Sequence, residues 1–213
     1  MSKKITLVVL LALFFVSLLG CSNGAEQSSR ERIEYLKDPR FGYISITYLN
    51  PEEELIYYKE SLEECNKIMM SYLGDDYEEA EIIPISVGEM QNGGNPPRGF
   101  QINGVIYLNL NYENDMEMVT TLVHEELHYQ NPNGIHVKGL EEEDNVTLTE
   151  YIVYNLSEKV CCAYDEKYSQ CDYGRAPVIG ELDNSLEELY DVYLGRKKMS
   201  KDLEKKIQKA FKE

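Results

Sequence analysis

"FQINGVIYLNLNYENDMEMVTTLVHEELHYQ" (Phe100–Gln130) changes its hydrophobic period partway along. Its first eleven residues centre on Asn103-Gly104. Both positions tolerate positive φ, which makes the dipeptide a strong signal for a tight β-hairpin. Phe100–Ile102 is therefore expected to pair with Val105–Leu110. From Asp115 the period becomes helical. Asn114 or Asp115 can cap the helix, and Met116, Val119, Val123 and Leu127 form an apolar stripe along it. Pro132, in "NPNG" (Asn131–Gly134), forbids continuation and ends the helix near Gln130.

The flanking sequence fills in the rest of the fold. "GYISITYL" (Gly42–Leu49) is β-branched and aromatic, and reads as a strand. Pro51–Gly74 reads as a helix, with proline and acids at its start and glycine at its stop. Glu81–Val87 reads as a strand whose Pro84 argues for a sheet edge or a bulge. Gly88–Gly99 reads as a loop. A second long helix is expected from about Thr147 to Tyr164, with Leu148, Ile152, Leu156 and Val160 as its apolar stripe. Ser185–Lys197 and Lys201–Lys212 give a helical C-terminus. Strands early and helices late predict an α+β fold. Its sheet is expected to be small and mostly antiparallel, with the hairpin at 100–110 packed on the 115–130 helix.

The N-terminus reads as a secretory signal. Lys3 and Lys4 precede a short apolar run, Ile5–Leu19, and a small-residue zone. "LLGC" (Leu18–Cys21) resembles the lipobox of bacterial lipoproteins. The resemblance implies cleavage before Cys21, lipid on its thiol, and a membrane anchor on the extracytoplasmic face. Residues 1–20 would then be signal, 21–30 a small polar tether, and 31–213 a single domain. The formal charge is −17, which repels nucleic acid. Cys65, Cys161, Cys162 and Cys171 remain. They allow three pairings, or free thiols, and their spacing is not that of a zinc ribbon.

All three histidines lie within Thr121–His136. His124 and His128 stand four apart with Glu125 directly after the first, giving H-E-x-x-H. A helix places two such imidazoles so that both reach one zinc ion. The glutamate lies beside the metal, where it can take a proton from a zinc-bound water. The bland alternative is two surface histidines on an acidic helix.

"HEELH" after "GVIYLNL" resembles the minimal zincin metallopeptidases. The resemblance covers roughly Phe100–Tyr164. It implies one zinc ion, Glu125 as general base and a peptide or protein substrate. It also implies that the strand before the active helix, here Val105, Ile106, Tyr107, Leu108 and Asn109, is the sheet edge that holds an extended peptide.

The third ligand is open at this level. Gly134 and His136 come too late for the metzincin continuation, although His136 could bend back as a ligand or as a donor to the transition state. Gluzincins take a glutamate from a second helix. "VTLTEY" (Val146–Tyr151) keeps the "TEY" of many zincins and lacks their preceding E-G pair. Glu150 is favoured because it lies off the apolar stripe, in line with Tyr154. Against it, Thr147 and Glu150 match a capping box. Glu141, Glu142 and Glu143 complete the candidates. Tyr154 and Tyr151, with His136, are candidates to stabilise developing charge. The expected function is a membrane-anchored zinc hydrolase acting on peptides. Its rival is a non-catalytic surface lipoprotein that binds a metal ion or a protein partner. The oligomeric state is not encoded in any motif.

Overall fold

A computed structural model of the chain describes residues 33–38, 42–90, 96–112, 114–171 and 177–212. The signal and tether, 1–30, lie outside the described residues. Among the described residues there are five strands: β1 (Ile33–Asp38), β2 (Gly42–Tyr48), β3 (Glu81–Met90), β4 (Gly99–Ile102) and β5 (Val105–Asn109). The helices of two turns or more are α1 (Lys59–Leu73), α2 (Asp115–Gln130), α3 (Glu142–Tyr164), α4 (Leu186–Tyr193) and α5 (Lys201–Ala210). The fold is α+β, and no described helix is long and apolar enough to cross a membrane.

The hairpin forms as its turn chemistry dictates. Asn103 and Gly104 take φ of 54° and 81°, and Ile102 stands opposite Val105. The sheet order is β1-β2-β3-β5-β4. Every adjacent pair is antiparallel except β3 with β5, which is parallel. This order corrects two expectations. Val105–Asn109 is an inner strand, and β4 is the sheet edge beyond it. The physical reason is that Ile106 and Leu108 bury one face while Tyr107 packs on the other, and a strand apolar on both faces belongs inside a sheet. Pro84 also lies in an inner strand. Its carbonyl accepts from Leu49 N at 3.0 Å, so its missing donor faces the β2 side, just past the end of β2.

Alternation assigns the two faces of the sheet. Leu108 faces the helices and joins Leu122, Val123 and Leu127 of α2 and Leu148, Ile152 and Leu156 of α3 in the main core. Ile44, Ile46, Ile85 and Phe100 form a second, smaller cluster. The expected α3 stripe is buried throughout, including Val160. On α2, Val119, Val123 and Leu127 are buried, whereas Met116 is 39% exposed at the first turn.

Element ends differ in instructive ways. The 51–74 helix is interrupted: Pro51–Glu54 and a tighter turn, Leu55–Tyr58, lead into α1. β3 runs on to Met90, shortening the expected loop. β1 carries no signal that its sequence alone made plain. α3 begins at Glu142, five residues before Thr147. Three acids, Glu142, Glu143 and Asp144, occupy its first turn, where the helix dipole favours negative charge. Thr147 Oγ1 donates to Glu143 O inside the helix at 2.9 Å. Thr147 therefore caps nothing, and Glu150 sits in the helix body.

Candidate metal centre

α2 starts cleanly because Asn114 accepts from Glu117 N at 3.0 Å. Its middle is almost wholly buried between sheet and helices, polar residues included: His124, Glu125 and Glu126 are all under 10% exposed. One helical turn separates His124 from His128, and their Nε2 atoms stand 3.2 Å apart. α3 crosses this face and delivers Glu150. Its Oε1 lies 3.3 Å from His128 Nε2, and its Oε2 lies 3.6 Å from His124 Nε2. The three residues form a group that could hold a metal ion.

The separations test the fit. A zinc ion with nitrogen and oxygen ligands at about 2.05 Å and tetrahedral angles needs ligand atoms about 3.3 Å apart. The 3.2 Å between the imidazoles and the 3.3 Å from His128 to Glu150 Oε1 fit that requirement, while Glu150 Oε2 reaches His124 at 3.6 Å. Without a cation, the same geometry would gather three acceptor-bearing groups in a nearly dry site. His124 Nδ1 is buried and meets no hydrogen-bond partner among the described residues. The outer acceptor that commonly orients a ligating imidazole is therefore missing there.

Glu125 is 3% exposed and lies against the edge strand. A Cβ built on Gly99 would come 3.1 Å from Glu125 Cγ and 3.2 Å from Thr121 Cγ2. Only glycine lets β4 approach the helix this closely. In the hairpin, Ile102–Val105 and Phe100–Tyr107 are hydrogen-bonded pairs, and Asn109 N bonds to Arg98 O at 2.9 Å. The intervening Gly99 and Gln101 thus point their backbone N–H and C=O away from β5, toward the open edge.

A cleft of about 180 Å³ adjoins the site, with Gln101, His128, His136, Glu142, Thr149 and Glu150 in its walls. His136 is exposed on the loop after α2 and is not in the three-residue metal group. That loop is pinned to α3. Ile135 N donates to Thr149 Oγ1 at 3.1 Å, and Val137 N donates to Asn145 Oδ1 at 2.8 Å. Gly134, at φ +60°, is pressed onto Thr149.

The other sequence candidates separate. The Tyr154 ring packs on His124, with centroids 4.4 Å apart. Tyr151 turns away, its hydroxyl donating to Asp183 Oδ1 at 2.7 Å. Burial and that bond raise its pKa. Glu141 precedes α3, and Glu142 and Glu143 lie in its exposed first turn. None of the three joins the ligand group.

Three residues near the site escaped sequence reasoning. Tyr112 donates to Arg98 O at 2.8 Å, and its pKa is raised by burial and then by the charge of Glu125. Tyr193 donates to Leu127 O at 2.8 Å, and burial followed by Glu150 and Glu125 raises its pKa. Gln101 is the third. With many tyrosines in the chain, no local signal marks these two, because their relation to the site is purely tertiary.

No family model, no curated protein and no solved structure matches the chain. The chemistry of the site rests on its own geometry.

Proposed function

We propose that the protein is a zinc-dependent peptidase of minimal-zincin type, tethered by lipid on Cys21 at the extracytoplasmic face of a bacterial membrane. One observation carries the reading. His124, His128 and Glu150 bring ligand atoms within 4.8 Å of one another, beside a buried Glu125 on the helix of the two histidines. Two imidazoles and a carboxylate make a ligand set used by zinc peptidases. Zinc bound there would supply Lewis acidity, lowering the pKa of water and polarising a carbonyl.

The chain's own residues do the rest. His124, His128 and Glu150 would hold the ion. Glu125 accepts the proton of the attacking water and later delivers it to the leaving nitrogen. The outward groups of Gly99 and Gln101 on β4 pair with an extended peptide, a role that falls to β4 because β5 is enclosed. Tyr154 keeps the His124 ring in place. The rival, a surface lipoprotein that binds metal without turnover, differs in what Glu125 does.

The test is metal analysis and turnover together. Protein purified without chelator is expected to carry one zinc per chain. Glu125→Gln is expected to keep the zinc and lose cleavage of unfolded β-casein. Metal-free protein, or an active Glu125→Gln variant, would refute the reading. Wild-type protein that holds zinc but never cleaves would favour the binder.

A further inference from the structure

Gln101 carries a buried donor that meets no acceptor among the described residues. Its side-chain Nε2 is buried at the cleft wall and meets no hydrogen-bond partner among the described residues. Native proteins pair nearly all buried donors, because an unpaired one is costly. An amide kept in this state beside a cleft is explained when the cleft's occupant supplies the acceptor.

Strand geometry sets where this amide lies. Phe100 and Ile102 project to the second apolar cluster. Gly99 and Gln101 therefore project to the helix face, where Gly99 meets Glu125 and Gln101 joins His128 and Glu150 in the cleft wall. No lysine or arginine among the described residues lines that cleft. The Glu150 carboxylate is directed at the two imidazoles, 3.3 and 3.6 Å away. Gln101 also offers its backbone N–H and C=O to the open sheet edge. A peptide added to β4 would thus meet Gln101 twice, once along the backbone and once over the cleft.

We propose that the Gln101 side-chain amide is a substrate-binding donor that takes a carbonyl oxygen of a peptide lying along β4. The inference rests on the peptidase reading for the identity of the occupant. It adds a residue that recognises the peptide without touching the metal.

The test is calorimetric titration of the zinc-loaded Glu125→Gln protein with unfolded β-casein. Adding Gln101→Met keeps the side-chain length and removes both N–H groups. Casein affinity is expected to fall about tenfold, as loss of one buried hydrogen bond predicts. The urea midpoint is expected to hold or rise, because an apolar group replaces an unpaired donor. Affinity down with stability intact is a signature that a merely structural role would not give. Gln101→Glu, which offers only acceptors, should weaken binding at least as much and covers the case in which the Met variant misfolds. Unchanged affinity in both variants, no casein binding at all, or a loss of affinity that tracks lost stability and zinc would overturn the proposal. Casein that is bound through Gln101 but never cleaved by wild-type protein would refute the peptidase reading and leave this one standing.

Discussion

Gly99→Ala isolates the placement of Glu125 from the holding of metal. The backbone at Gly99 does not require glycine, since its φ lies outside the positive range. The cost is therefore steric. The new Cβ would stand 3.1 Å from Glu125 Cγ, 3.2 Å from Thr121 Cγ2 and 3.6 Å from Glu125 Cδ. Comfortable carbon contacts begin at about 3.5 Å, so roughly 0.4 Å must be found. The strand cannot give it easily, because neighbouring Phe100 is fully buried. The helix backbone cannot either, because Leu122, Val123 and Leu127 anchor it in the core. Glu125 turns instead, and its carboxylate, at the end of a lever, moves by more than its Cγ. A misplacement of about 1 Å costs about 100-fold in rate, so kcat is expected to fall by about 10- to 100-fold, or roughly 1.4–2.7 kcal/mol. Overpacking adds about 1 kcal/mol of instability. The assay is kcat and KM on casein-derived fluorogenic peptides, with zinc content and urea midpoint measured on the same preparation. The expected signature is reduced kcat at unchanged zinc content. A kcat within twofold of wild type would refute the lever argument. A variant that loses zinc in step with activity would show that the ligands, rather than the base, feel Gly99.

Two further outcomes follow from the site. Glu150→Ala is expected to weaken zinc binding by more than about 100-fold, beyond what loss of an outer-shell partner costs, while His136→Ala leaves it unchanged; competition with a chromogenic chelator reads both, and the reverse order would exchange their roles. Glu126, the second acid of "HEELH", is 1% exposed, and burial pushes its carboxyl up to about 7. The folded state then binds more protons than the unfolded state between about pH 4.5 and 7, so stability falls as pH rises through that window. Urea unfolding with chelator present should find Glu126→Gln more stable than wild type by up to about 3 kcal/mol at pH 8 and little different near pH 4. A gap that does not change with pH would refute the assignment.

Local chemistry made the hairpin and the helices readable. Asn103-Gly104 needs positive φ and takes it, and Asn114 caps α2 as its position implies. Strand order was harder, because it depends on what each face meets far along the chain. Pro84 argued for an edge or a bulge because its missing N–H was judged against a full-length neighbour. β2 simply ends before that N–H is needed. The start of α3 was misplaced for a similar reason. Thr147 and Glu150 form a local pattern for a cap, whereas Glu142–Asp144 win the N-terminus by adding three charges to the positive end of the dipole.

The site divides along the same line. His124 and His128 are one turn apart, so their partnership is a property of any helix that contains them. Glu150 required a second helix to cross at the right height, and its phase against Leu148 and Ile152 carried that information in part. The edge strand carried its own correction. "VIYL" (Val105–Leu108) is apolar on both faces, the mark of an inner strand, while "GFQI" (Gly99–Ile102) alternates small or polar residues toward the helix with Phe100 and Ile102 away from it. Once β5 is enclosed, β4 is driven outward, and its glycine and glutamine are brought against Glu125 and the cleft. The residues that the proposed peptide would meet are thus set by the burial demands of the strand beside them, which is why a motif confined to one helix could point to a group able to hold a metal ion and yet leave the proposed peptide's position to the sheet.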